Sequence, residues 1–150
     1  MEGNIIEYSV QLKKIRTIFD SRDVISSSED VVEIMNKCYD FDDREKLYVI
    51  LLDARKKVIG VNLVSIGTID KVMLHPREIF KPAILLGASA FIMVHNQPSG
   101  DVTPSEEDIS ITGRIIECGN ILDIPLMDHI IYCEGKYYSI YDEMEQVWKK

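Results

Sequence analysis

Val94-His95-Asn96-Gln97-Pro98-Ser99-Gly100 is the stretch that decides the fold, together with the segment from Asp101 to Asp108 that follows it. The apolar residues before His95 are typical of a buried strand, and the proline and glycine after it are typical of a loop. The segment Thr103-Pro104-Ser105-Glu106 predicts a helix start that has Thr103 as its N-cap. The stretch therefore predicts a strand that ends in a loop and returns as a helix.

Strand and helix patterns alternate on both sides of this stretch. Ser28 and His75-Pro76 predict the starts of two further helices, because serine is a frequent N-cap and proline a frequent first helical residue. Apolar runs of strand length predict further strands. They cover residues 46–52, 58–65, 90–94, 130–133 and 137–140, with a short edge strand at 8–12 and a strand, or a loop and a strand, at 66–74.

Turn residues join several of these strands directly. Residues 53–57 and 134–136 read as hairpin turns, so the strands that flank each turn pair antiparallel. The helices separate other strands. The pattern predicts an α+β fold, an α/β/α sandwich in which a mixed, largely antiparallel sheet has helices on both faces.

The composition is that of a globular protein and excludes several classes. Hydrophobic residues make up 46% and charged residues 28% of the 150 residues, and the formal net charge is −8. A chain this acidic is a poor candidate for direct binding to nucleic acid, which needs a basic surface. No apolar run is long enough to span a bilayer and no signal-peptide pattern opens the sequence. The three separated cysteines favour reduced thiols, and we expect a cytoplasmic protein.

Four polar residues around the decisive loop have the spacing of a hydrolytic metal site. His95 and Gln97 are two apart, so in extended backbone they point the same way, and Ser105 and Asp108 share one face of a helix. Two ligands at the strand end and Asp108 on the helix would leave a fourth position open for water. Such an open position is typical of a catalytic zinc site. Each residue also has an ordinary role: a hydrogen-bonded histidine at a strand end, or a carboxylate at a helix N-terminus.

Another histidine, His129, follows Asp128 at the start of an apolar strand. We interpret the two as a structural Asp/His pair, with His129 as a replacement metal ligand the alternative. Cys118 and Cys133 fit buried structural thiols, with a nucleophilic role as the alternative.

The residues His95-Asn96, Pro98-Ser99-Gly100 and Pro104-Ser105-Glu106-Glu107-Asp108 resemble a known family. The spacing is similar to the JAMM metalloprotease motif of MPN (JAB) domains, and more closely to the RadC-like proteins of bacteria. Their strand end reads His-Asn-His-Pro-Ser-Gly before a Pro-Ser-x-x-Asp helix. Further similar segments extend the resemblance over about two thirds of the chain. They are Leu51-Leu52-Asp53, Ser65-Ile66-Gly67-Thr68, His75 to Phe80 and Leu126 to Ile131.

The resemblance implies a JAB/MPN architecture, which is cytidine-deaminase-like, over residues 44–150. Residues 1–43 would then be an N-terminal strand and helix extension packed on this domain. We place no helix-hairpin-helix module, which the family commonly carries, in those first residues. A role in DNA repair rests on the family association alone.

The resemblance also implies roles for individual residues. His95 and Asp108 fall on metal ligands, Ser105 on the serine that stabilises the oxyanion, and Glu45 on the catalytic glutamate, with Glu78 as the second candidate base. Gln97 stands where the family has its second histidine ligand. An amide oxygen is a weaker zinc donor than imidazole. We therefore expect zinc binding to be weakened or absent.

Two functions remain open at this point. The first is a metal-dependent hydrolase of the peptidase or isopeptidase type, which the retained His95, Ser105 and Asp108 favour. The second is a catalytically inactive MPN-type protein-binding module, which Gln97 favours. Either implies a protein or peptide as substrate or partner, without direct nucleic-acid or membrane binding. Exposed edge strands would allow a homodimer.

Overall fold

A mixed sheet of five strands forms the centre of the computed structural model, which describes residues 3–18, 24–38, 44–67 and 74–149. The strands are β1 (Lys46–Leu52), β2 (Val58–Ile66), β3 (Ala90–Asn96), β4 (Leu126–Cys133) and β5 (Lys136–Ser139). The helices are α1 (Ser28–Cys38), α2 (Pro76–Leu86), α3 (Glu106–Leu122) and α4 (Ile140–Glu143), followed by a 3-10 turn at Glu145–Trp148. The α+β class predicted from the sequence is confirmed.

The strands lie in the order β2-β1-β3-β4-β5. Only the β3–β4 pair is parallel, because α3 connects these two strands, whereas the other three pairs are antiparallel. Both predicted hairpins, at 53–57 and 134–136, join neighbouring strands. The sheet is thus mixed and largely antiparallel, as the sequence predicts.

Alternate residues of the central strands supply two apolar cores, one on each face of the sheet. On one face Leu47, Val49 and Met93 pack with residues of α2 and α3. On the other face Tyr48 and Ile92 pack with residues of α1. Both faces of β1 and β3 are therefore covered, which explains why these strands read as continuous apolar runs.

The starts of the first two helices differ from prediction in one respect. Pro76 opens α2, as predicted. Ser28, predicted as an N-cap, is instead the first residue of α1, and its hydroxyl donates to Asp142 at 2.7 Å. The backbone N–H groups of Ser26 and Ser27 donate to the Asp30 carboxylate. This carboxylate organises the helix start.

The edge strand predicted at 8–12 is wrong, since residues 3–18 are in neither a helix nor a strand. The apolar side chains from Ile5 to Ile15 are exposed, so they lack the buried face of a sheet strand. Of the strand predicted at 66–74, residues 68–73 lie outside the described residues, as does the predicted domain boundary at residue 43. Among the helices of the described ranges, none is long and apolar enough to cross a membrane.

Candidate functional site

His95 lies at the carboxyl end of the central strand β3. It pairs with Leu47 of β1 on one side and with Ile131 of β4 on the other, and 1% of its surface is exposed. Its side chain is on the same face as Met93, two residues earlier, because strand residues alternate in direction. The imidazole therefore points towards α3, the helix that the decisive stretch of sequence predicts.

Asp108 occupies the first turn of α3 and closes a capping box with Ser105. The Ser105 backbone N–H donates to Asp108 Oδ2 at 2.8 Å, and the Asp108 backbone N–H donates to Ser105 Oγ at 3.1 Å. Ser105 is thus the N-cap, and the predicted N-cap at Thr103 is wrong. The Thr103 backbone N–H instead donates to Asp101 at 3.0 Å, in a local turn before the helix.

His95 and Asp108 are brought together across the gap between sheet and helix. His95 Nε2 lies 3.8 Å from Asp108 Oδ1, which is too long for a direct hydrogen bond. Two atoms that share one zinc ion at about 2.0 to 2.2 Å each are separated by at most about 4.4 Å. The separation of this nitrogen and this oxygen therefore fits two ligands of a common ion.

The His95 imidazole is held neutral. Burial lowers its pKa below the ordinary value, and the negative charges of Asp108 and Glu45 only partly oppose this effect. A neutral imidazole is the form that binds a metal ion. The influence of Glu45 also shows that this glutamate, half-buried just before β1, lies close enough to act on His95.

The Asn96 side chain fastens the segment around Glu45 to the end of β3. Its Oδ1 accepts from the Lys46 backbone N–H at 2.5 Å, and its Nδ2 donates to the Arg44 carbonyl at 2.7 Å. Asn96 is 2% exposed. The two residues that flank Glu45 are therefore fixed next to His95.

The second candidate base, Glu78, lies elsewhere in the fold. It is in the first turn of α2, where its half-exposed carboxylate forms ion pairs with Lys81 at 3.8 Å and with Arg77 at 3.7 Å. Asp108 and Glu45 are the charges that act on His95, and Glu78 is not among them. Of the two glutamates, Glu45 is therefore the one that the fold associates with His95.

Gln97 lies directly after β3. Its backbone N–H donates to the Tyr132 carbonyl at 2.6 Å, which continues the β3–β4 ladder by one residue, and its carbonyl accepts from Gly100 in the turn that follows. The side chain is half-buried. The backbone holds Gln97 at the rim of the site, two residues beyond His95.

Sequence reasoning missed a buried connection between His95, His129 and Thr112. His95 Nδ1 lies 2.8 Å from His129 Nε2, and His129 Nδ1 lies 2.7 Å from Thr112 Oγ1 on α3. Thr112 Oγ1 in turn donates to the Asp108 carbonyl at 2.6 Å. His129 lies 34 residues from His95 in the chain. The only sequence signal was a polar residue at the start of an apolar strand.

Asp128 and His129 form a structural pair through the His129 backbone, and the His129 ring takes no part in it. Asp128 Oδ1 accepts from the backbone N–H of His129 and of Tyr141, and Oδ2 accepts from Ser139 Oγ at 2.6 Å. Burial nevertheless raises the pKa of the Asp128 carboxyl. This carboxylate fastens β4 to β5 and α4, whereas the His129 ring belongs to the site on the other face.

Most of the chain matches a known protein family. The family model described as the RadC-like JAB domain matches residues 25–146, which is most of the chain. This chain belongs to the RadC-like JAB domain family. The family match includes α1 as well as the sheet. It therefore starts earlier in the chain than the resemblance seen in the sequence motifs, which starts at residue 44.

Relatives of this RadC-like domain occur in bacteria and archaea. A UPF0758 protein of Caldanaerobacter subterraneus is 41% identical over 116 residues, which are 77% of this chain and 50% of the relative. One of Rubrobacter xylanophilus is 44% identical over 119 residues, 79% of this chain and 52% of the relative. One of Methanosarcina mazei is 41% identical over 119 residues, with the same coverage of 79% and 52%. The chain spans about half the length of the curated relatives it matches.

The donor set of this RadC-like domain departs from a complete zinc site. Within residues 3–18, 24–38, 44–67 and 74–149, no three His, Cys, Asp or Glu side chains form a group that could hold a metal ion. His95 and Asp108 provide two ligands of the types zinc prefers, and Gln97 provides an amide. The geometry thus brings together two side chains, His95 and Asp108, whose spacing fits two ligands of one ion.

Proposed function

We propose that this domain is a metal-dependent hydrolase of the peptidase or isopeptidase type whose metal site is degenerate. The observation that carries the proposal is the 3.8 Å separation between Nε2 of a buried, neutral His95 and the Asp108 carboxylate. A buried histidine facing a carboxylate at a distance too long for a hydrogen bond leaves room for a cation between them. The resemblance of the loop and helix residues to the JAMM metalloprotease motif supports the choice of an amide bond as the target.

His95 and Asp108 would hold the ion, with Gln97 as the third and weakest donor. When bound, a zinc ion at this place would act as a Lewis acid and bring the pKa of a water molecule towards neutrality. Glu45 would accept the proton of the attacking water and return it to the leaving nitrogen. Its negative charge already acts on the His95 ring.

Ser105 would donate to the oxyanion that develops on the substrate carbonyl. Its Oγ accepts from the Asp108 backbone N–H at 3.1 Å, and that bond uses a lone pair, not the hydroxyl proton. The proton of Ser105 thus remains for the substrate. Ser105 is exposed, so a substrate has access to it.

Zinc binding by the purified domain tests this proposal directly. Zinc content and zinc affinity are measured for the unaltered chain, for Gln97→His and for His95→Ala, which removes one strong ligand. We expect the unaltered chain to bind zinc, His95→Ala to lose binding, and Gln97→His to bind at least about ten-fold more tightly. An unaltered chain that binds no better than His95→Ala would refute the metal-dependent reading.

Activity needs its own comparison because metal binding alone does not make a hydrolase. Peptide and isopeptide substrates are screened with the zinc-loaded chain and with Glu45→Gln, which keeps size and removes the base. Glu78→Gln is the matched control, since this glutamate lies on α2. We expect turnover to fall by about 100-fold or more in Glu45→Gln and to be unchanged in Glu78→Gln.

The amide at position 97 favours a second candidate function, a protein-binding module without catalysis. A weak third donor makes zinc occupancy low in competition with other cellular ligands. The zinc measurement separates the two functions. If only Gln97→His binds zinc, the domain is better described as a non-catalytic member, and the search moves from substrates to protein partners.

A further inference from the structure

A chain of three buried hydrogen bonds joins the candidate metal ligand His95 to the backbone of α3. It runs from His95 to His129, from His129 to Thr112, and from Thr112 to the Asp108 carbonyl, at 2.8, 2.7 and 2.6 Å. Exposure of His95 is 1%, and that of His129 and Thr112 is 0%. Because water is excluded, the protons in these bonds must come from the members of the chain.

The position of each proton follows from the last member. A carbonyl oxygen only accepts hydrogen bonds, so the single proton of the Thr112 hydroxyl lies towards the Asp108 carbonyl. Thr112 Oγ1 must then accept its second hydrogen bond. The donor is Nδ1–H of His129, which lies 2.7 Å away.

The same logic carries on to His95. Complete burial disfavours a charged His129, so its ring holds one proton, which is on Nδ1. Its Nε2 is therefore an acceptor, and the 2.8 Å contact requires a proton on Nδ1 of His95. The Nε2 of a neutral His95 is left with a free lone pair, directed towards Asp108.

We propose that His129 and Thr112 are positioning residues that hold His95 in the Nδ1–H tautomer, with the Nε2 lone pair presented for a metal ion. This inference rests on the proposed metal-dependent function. A metal-bound histidine commonly donates its other ring N–H to a protein acceptor, which fixes both tautomer and ring orientation. Here the acceptor is a second histidine. Its own tautomer is set by the hydroxyl of Thr112, which lies four residues after the ligand Asp108 on α3.

The chain of bonds also assigns a role to His129 itself. Both of its ring nitrogens are engaged, one with His95 and the other with Thr112. His129 therefore has no free nitrogen with which to replace the missing ligand at position 97. It supports the ligand set without being part of it.

The tautomers are measured by long-range 1H–15N correlation spectra of the histidine side chains in the metal-free protein. The spectra distinguish a protonated from an unprotonated ring nitrogen, independently of any activity. We expect Nδ1–H tautomers for both His95 and His129. An Nε2–H tautomer of His95 in the unaltered chain would overturn the proposal.

Two substitutions at one position test the direction of control. Thr112→Ser keeps the hydroxyl, whereas Thr112→Val keeps the shape and removes it. Without that acceptor, an Nδ1–H of His129 would be buried unpaired, so both rings should change to the Nε2–H tautomer. We expect this change in Thr112→Val and not in Thr112→Ser. An unchanged His95 tautomer in a folded Thr112→Val would overturn the proposal.

Zinc affinity is then measured in the Gln97→His background, where binding is stronger. Thr112→Val should weaken binding by about 10- to 100-fold, and Thr112→Ser should leave it nearly unchanged. Equal affinities would overturn the positioning role. If the tautomers are as expected but Gln97→His binds no zinc, the proposed function fails instead, and the spectra distinguish this outcome from failure of the hydrogen-bond chain.

Discussion

Gly119 is the position where a single methyl group should test the packing of α3 most sharply. It is buried on α3, and a Cβ added there would lie 2.6 Å from the Ile124 carbonyl oxygen and 3.4 Å from two further backbone atoms. The Gly119 carbonyl also accepts from the Ile124 backbone N–H at 3.0 Å, so the two segments are tied at this contact. Backbone on both sides leaves little freedom to move apart.

The cost of Gly119→Ala has two parts of opposite sign. Overpacking in a closed site costs about 1 to 3 kcal/mol, and contact with backbone places this site near the upper end. Alanine in place of glycine within a helix contributes about 1 kcal/mol in the other direction. We expect Gly119→Ala to lower the free energy of unfolding by about 2 kcal/mol.

Gly113 provides a matched control on the same helix. A Cβ at this position would have no heavy atom within 4 Å, so only the helix term applies. Gly113→Ala should therefore raise the free energy of unfolding by about 1 kcal/mol. The two substitutions add the same methyl group to the same helix, and the structure predicts effects of opposite sign.

Urea unfolding measures both variants, followed by circular dichroism and by fluorescence. The chain has one tryptophan, Trp148, whose indole N–H donates to the Leu126 carbonyl at 2.7 Å, close to the Gly119 contact. Its emission should change in Gly119→Ala. Unfolding of both variants at the same urea concentration would contradict the close approach of α3 to the start of β4.

Two further predictions concern the site. Burial lowers the pKa of His129 well below its ordinary value of 6.5, so below that pH the unfolded chain binds a proton that the native state does not. The free energy of unfolding should therefore fall by about 1.4 kcal/mol per pH unit for this group as the pH drops below about 6.5. Urea unfolding between pH 6.5 and 5 measures the slope. A flat profile would contradict a buried neutral His129. Asn96→Ala removes the two hydrogen bonds to the backbone of Arg44 and Lys46 and should lower the free energy of unfolding by about 2 kcal/mol. Thermal and urea unfolding measure the loss. As a control, Asn120→Ala at an exposed position should unfold within about 0.5 kcal/mol of the unaltered chain. Equal stability of the two variants would contradict the role of Asn96 in fastening this segment.

The elements that the sequence predicts well are those whose signal is local. Strands β1 and β3 are apolar runs buried on both faces, and Pro76 marks the start of α2. His95 and Asp108 come together because one ends a strand and the other begins the helix that follows it. Local pattern is sufficient for this part of the site.

The parts that escaped prediction depend on choices between similar local signals or on distant contacts. Thr103 and Ser105 both precede an acidic residue by three positions, and only the fold shows that Ser105 and Asp108 make the reciprocal bonds. The partner of His129 is on another strand, and Thr112 looks like one more residue of the buried face of α3. Pairing between β3 and β4 brings them together, and no short-range pattern encodes it.

Because Ser105 and Asp108 form the capping box of α3, the presence of these residues in a sequence has a structural explanation as well as a catalytic one. Asp108 and Ser105 start a helix that covers one face of the sheet, and His95 completes a buried hydrogen-bond chain. Selection for folding alone would therefore retain all three after catalysis had ceased to matter. Gln97 is half-buried beyond the strand end, and it contributes to the fold through its backbone and not through its side chain. In relatives of this domain that lose activity, substitutions should therefore accumulate first at the position of Gln97. The presence of His95, Ser105 and Asp108 indicates a stable fold and is by itself weaker evidence of catalysis.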